Sequence, residues 1–176
     1  SILIGMPCMI AMIIFAKPIL ELLFPNATSG AFIYQISCLS IIFIVIEQII
    51  SGALHGLGKV LAPAMALSVG VVIKFILNLY LIPIDTKDFF LGGTAGAAIS
   101  TVICHMIAVI IELKILNKNI DLKLDKKKFV FKPMLASIIM SVFAYTFYLV
   151  MITRINDKIV TLLSLLMCAI IYIVVL

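Results

Sequence analysis

The stretch VLAPAMALSVGVVIKFILNLYLIP, Val60–Pro83, decides how the rest of the chain reads. Wound as a helix at about 1.5 Å per residue, it is long enough to cross a hydrocarbon layer of about 30 Å. It carries a single charge, Lys74, with Asn78 one helical turn further on. Its apolar residues run continuously, without the alternation that a membrane β-strand would need. Pro63 falls in the first turn, where a missing N–H costs little.

Working outward, the composition agrees. The chain is 65% hydrophobic and 12% charged, against about 45–50% and about 25% for soluble domains. A soluble globule of 176 residues has no interior large enough for that much apolar surface. In lipid, every backbone polar group must be satisfied within its own segment, which leaves helices as the solution here. The expected fold class is all-α, a polytopic membrane helix bundle with six transmembrane helices at 2–24, 31–51, 60–83, 92–113, 133–152 and 158–176. FPNATSG (24–30), SGALHGLGK (51–59), PIDTKDFFLGG (83–93) and TRINDK (153–158) supply the turns. The N-x-T sequon at Asn26 is read as part of such a turn.

The one long polar connection, 114–132, divides the chain into 1–113, the basic connection itself, and a C-terminal hairpin at 133–176. Lysine and arginine prefer cytoplasmic loops. With this connection inside, inner segments hold Lys59, Lys114, Lys118, Lys123, Lys126, Lys127, Lys128 and Lys132, and outer ones hold Lys87, Arg154 and Lys158. Both ends of the segment are then expected on the cytoplasmic side, and the basic run along an anionic leaflet rather than on nucleic acid. The chain opens inside an apolar run with no initiator Met, which reads as part of something longer.

The four cysteines, Cys8, Cys38, Cys104 and Cys168, form no CxxC and no Cys/His cluster, so buried thiols are expected and no metal site. No nucleophile–base pair, phosphate loop or paired catalytic carboxylates can be found; no catalytic residue is assigned and an enzyme is not expected.

Ionisable residues inside spans are the functional candidates. Lys74 lies roughly 20 Å up from the inner end of its helix, beyond the midplane, where a lysine costs about 2.5–3.5 kcal/mol to insert. Either it snorkels outward or it faces a wet cavity or a fixed partner. Glu47 sits about one turn from the inner interface and either reaches headgroup water or caps the Gly-rich turn. Lys17 and Glu21, spaced i, i+4, are expected to pair. His105 reads as a hydrogen-bonded packing residue ahead of a proton carrier. Gly92, Gly96 and Ser100 make a small-residue stripe for close helix packing, with Thr101 beside it. Pro7 and Pro18 can kink the first span.

Several segments carry a family resemblance: AKPILELLFP (16–25), SGALHGLGKVLAPA (51–64), KFILNLYLIP (74–83), GGTAGAAISTVICH (92–105) and KPMLAS (132–137). Together they resemble the C-terminal half of polysaccharide-biosynthesis membrane proteins of the stage V sporulation protein B group. That group is similar to MurJ-like lipid II flippases, within the superfamily that also holds the MATE drug exporters. The resemblance implies two helical lobes, alternating access and a lipid-linked sugar substrate carried across a bacterial cytoplasmic membrane. It implies that the first lobe is missing here, and that the last two spans line a groove for the lipid tail. No cofactor is implied, beyond coupling to a monovalent cation. In some MurJ-like proteins the second lobe holds sodium between helices matching the third and fourth spans. Lys74 and Asn78 fall at about that place, so Lys74 would stand in for the ion with Asn78 and Thr101 as polar neighbours. Where that pattern has Gln, this chain has His55. The alternatives are a MATE-type drug/cation antiporter, which a deep acidic residue would favour, and a membrane scaffold without substrate, which a dry, tightly packed bundle would favour.

Overall fold

A computed structural model describes residues 2–24, 30–84, 92–119, 132–152 and 157–175. The described residues are all-helical: α1 (Ile2–Ile14), α2 (Ala16–Leu23), α3 (Ala31–Gly56), α4 (Leu61–Leu81), α5 (Gly93–Asn119), α6 (Lys132–Met151) and α7 (Asp157–Val175). The sequon at Asn26, the outer Lys87 and Arg154, and the basic run Lys123–Lys128 lie outside the described residues.

Helices α3, α4 and α5 are long and apolar enough to cross a membrane. The first expected span is not one straight helix. It breaks at Phe15, and α1 and α2 meet at 74°, so the pair makes at most one bent span. Pro18 explains the place of the break: it has no N–H for the carbonyl of Ile14, the last residue of α1, and its ring crowds that oxygen. The last two expected spans appear as the shorter apolar stretches Leu135–Met151 and Lys158–Val174, near the lower limit of spanning length. Two boundaries also move. Helix α3 runs past Ser51 to Gly56, because Gly52 and Gly56 stay helical and only Gly58 leaves the helix, at φ +74°. There the Lys59 N–H bonds the Leu54 carbonyl and the Gly58 N–H bonds that of His55, a Schellman ending. Helix α5 runs on past residue 113, through lysines and asparagines, to Asn119.

The helices group into two packed units. One comprises α3 from Ile36 onward, α4 and α5; the other comprises α1, α2, the start of α3 to Gln35, α6 and α7.

In the first unit α4 and α5 are antiparallel, as the partnerships Lys59–Asn119, Gly70–Cys104 and Asn78–Ser100 show: one number rises while the other falls. Helix α4 turns its small residues inward. Ala62, Ala66 and Gly70 are buried in steps of four, while Leu61, Met65, Val72, Phe75, Leu79 and Tyr80 are more than half exposed. Small residues inside and large apolar ones outside is the arrangement of a helix packed in lipid. Gly70 is the closest approach: a Cβ there would lie 2.7 Å from the Cys104 carbonyl oxygen. Along α5 the buried positions again come in steps of four, Gly96, Ser100, Cys104, Ala108, Glu112 and Leu116. The expected stripe of Gly92, Gly96 and Ser100 is thus the start of a longer one, with Gly92 buried just ahead of the helix. A cluster of Ile50 and Leu54 from α3, Ala62 from α4, and Val109 and Leu116 from α5 ties the three helices together.

In the second unit α6 buries Ala136, Met140, Ala144 and Tyr148, and α7 buries Val160, Ser164, Cys168 and Tyr172, again every fourth residue. Phe15, at the break, is 1% exposed and meets Tyr148 edge-on, ring centres 5.7 Å apart. The carbonyl that Pro7 leaves without its helical donor is met by a side chain. Pro7 cannot donate to Leu3, and the Tyr172 hydroxyl donates to the Leu3 carbonyl instead, at 2.5 Å. The Gln35 amide donates to the Ile13 carbonyl at the break, at 3.0 Å. Lys17 and Glu21 lie exposed on α2 and do not form the expected ion pair. Cys38, Cys104 and Cys168 are buried, but Cys8 is exposed, contrary to expectation. It lies on α1 beside an open groove rather than under a neighbouring helix.

Candidate functional site

The first unit gathers most of the polar side chains that the spans carry. Glu47, on α3, meets His105, on α5: Oε2 and Nδ1 are 2.7 Å apart, with the two side chains 13% and 22% exposed. This is the one ion pair among the described residues. Whichever group holds it, a single proton lies between that oxygen and that nitrogen. Glu47 therefore neither reaches for headgroup water nor caps the turn after α3. Its partner comes from another span, and His105 is hydrogen-bonded, through that carboxyl.

One turn along α3, the Ser51 hydroxyl donates to Oε1 of Glu112 at 2.9 Å. Glu112 is 0% exposed, and its other oxygen, Oε2, is buried without a hydrogen-bond partner. Sequence reasoning missed it, because it falls at the very end of the expected 92–113 span. Its signal was there: from Ser100, steps of four lead to Cys104, Ala108 and Glu112 on one face. The two contacts run in the same direction along both helices, 47 to 105 and then 51 to 112, so α3 and α5 are parallel, as alternating spans require.

On α4, Lys74 and Asn78 continue the inward row Ala62, Ala66, Gly70. Both are half-buried. Asn78 Oδ1 lies 2.5 Å from the Ser100 hydroxyl, which is also 2.9 Å from the carbonyl of Ala97. Thr101 turns back to the Ala97 carbonyl of its own helix at 2.9 Å. Asn78 and Ser100 are thus brought together across the α4–α5 contact, whereas Thr101 bonds within α5. No group of three or more metal-ligating side chains occurs among the described residues.

The second unit offers a different feature, an almost wholly apolar groove of about 360 Å³ between α1, α6 and α7. Pro7, Cys8, Met12, Met140, Leu165 and Tyr172 are among its lining residues.

Fold and composition define a multi-pass helical membrane protein. Residues 1–80, from α1 to the last turn of α4, match the MatE family model. MatE proteins are membrane transporters, and the match supports a transporter or exporter of that superfamily. No curated protein and no solved structure matches the chain.

Proposed function

We propose that this chain is part of a membrane flippase that moves lipid-linked oligosaccharide precursors, for peptidoglycan, spore cortex or another polysaccharide, by alternating access. It works in a bacterial cytoplasmic membrane with both ends of the segment on the cytoplasmic side, alongside a further helical lobe of the same protein. The observation that carries the transporter reading is the MatE match over residues 1–80. The groove between α1, α6 and α7 supports a lipid-linked cargo: it is apolar, open along one side, and lined by Met, Leu, Ile and Pro side chains suited to a polyprenyl chain. In this reading Lys74 acts from within the second lobe. It holds a fixed positive charge beside the Asn78–Ser100 contact, with Thr101 on the adjoining turn, where a bound monovalent cation would otherwise sit.

The buried acidic groups favour a second reading, a cation-coupled exporter of the MATE type. Glu112, and Glu47 paired with His105, are carboxylates enclosed between helices, and such groups are expensive to keep in a membrane without a purpose.

Proteoliposomes separate the two. The protein at its natural length is reconstituted, and a fluorescent polyprenyl-linked oligosaccharide is followed from one leaflet to the other by quenching. Protein-dependent translocation supports the flippase. Export of a cationic dye driven by an ion gradient, with no movement of the lipid-linked sugar, replaces it with the exporter. Movement of neither returns the chain to a scaffold role.

A further inference from the structure

Glu112 is the least comfortable group in the described structure. It is fully enclosed, yet one carboxyl oxygen has a single neutral donor, Ser51, and the other has none. An ionised carboxylate needs several donors or a cation to leave water. The surrounding charges do not supply one. From α3, Glu47 adds negative charge, and His55 lies exposed near the end of the helix. From α4, Lys59 is bonded to Asn119 at 2.6 Å, and Lys74 lies between the Gly70–Cys104 and Asn78–Ser100 contacts, two turns or more away along α5. On α5 itself, His105 is taken by Glu47. The neutral acid is the form that fits: Oε1 keeps the Ser51 hydroxyl, and Oε2 carries the hydrogen.

We propose that Glu112 is a proton-binding site that locks α3 to α5. With the proton on, the interface closes over the carboxyl as the structure shows. When the proton leaves, the carboxylate can be satisfied only by water, so α3 and α5 part at Ser51–Glu112 and the proton passes to the water that enters. The balance is one proton per opening, with no bond made or broken elsewhere. Glu47 differs, because His105 faces its carboxyl at 2.7 Å and gives it a partner within the closed interface. The inference concerns the packing of one unit and holds whichever cargo is moved.

The test uses the full chain in zwitterionic lipid nanodiscs and needs no transport. Infrared spectroscopy reads the carbonyl band of protonated carboxyl groups. Spin labels on two exposed sites, Ile49→Cys and Ile110→Cys, in a background with the native cysteines replaced by alanine, read the α3–α5 distance. The expected result is a protonated-acid band in the wild type that is missing from Glu112→Gln. The label distance should lengthen as pH rises from about 6 to about 9, a range that reaches buried glutamates, while Glu112→Gln stays short throughout. Loss of no band on Glu112→Gln, or equal lengthening in that variant, overturns the proposal. Should Glu112→Gln not fold, Ser51→Ala decides. Removing the hydroxyl that holds Oε1 in the closed form should move the opening to roughly tenfold higher proton concentration, and an unmoved midpoint overturns the lock.

Discussion

Replacing Gly70 by alanine perturbs the tightest point of the first unit by one methyl group. An ideal Cβ there stands 2.7 Å from the Cys104 carbonyl oxygen, 3.1 Å from its Sγ and 3.3 Å from its carbonyl carbon. A carbon and a carbonyl oxygen settle at about 3.3 Å or more, so α4 must retreat by about 0.6 Å. The obstacle is helix backbone and cannot rotate aside. Retreat loosens the Ala62 and Ala66 contacts and stretches the Asn78–Ser100 bond from 2.5 Å. Overpacking of this kind costs about 1–3 kcal/mol, and the better helix propensity of alanine returns up to about 1 kcal/mol. The expected net is a destabilisation of about 1–2 kcal/mol. Unfolding by sodium dodecyl sulfate in bicelles, followed by circular dichroism, measures it. Gly52→Ala is the matched control: it is also helical, with nothing within 4 Å of its Cβ, and should be neutral or stabilising. A Gly70→Ala variant as stable as Gly52→Ala would refute the close α4–α5 approach.

Tyr172→Phe removes the donor on the Leu3 carbonyl and should lower stability by about 0.6–1 kcal/mol in the same assay. Pro7→Ala, which restores the helix's own donor, should make Tyr172→Phe nearly neutral, so the two changes will not add. Pro18→Ala returns an N–H to the Ile14 carbonyl, and spin labels placed at either end of the α1–α2 pair should report a bend well below 74°. Asn78→Leu should cost under about 1 kcal/mol, because the buried Ser100 hydroxyl keeps the Ala97 carbonyl as its acceptor.

Helix positions were legible because lipid leaves the backbone no other solution, and the breaks between apolar runs carry turn residues. The stripe at Gly92, Gly96 and Ser100 was legible for the same reason that it packs: one face, every fourth residue. Partnerships across spans were not. Glu47 and His105 are 58 residues apart, and nothing local in either helix says that the two rows face one another. Glu112 was hidden by its position at the border of an apolar run and a lysine-rich one, where a carboxylate looks like a headgroup neighbour. The glycines of 51–59 all looked like turn residues, but only Gly58 needs the left-handed region, and the helix carried the others along. Pro18 marked a kink without its size, since that depends on Gln35 and Tyr148, residues from other helices that hold the bent corner.

The account rests on ionisable groups of α3 and α5 meeting each other inside the membrane bundle. A double-mutant cycle on Glu47→Gln and His105→Leu, read by bicelle unfolding, measures that meeting directly. Contact at 2.7 Å predicts a coupling energy of about 1–3 kcal/mol. Effects that simply add, within about 0.3 kcal/mol, would mean that the two side chains do not touch and would contradict the α3–α5 packing.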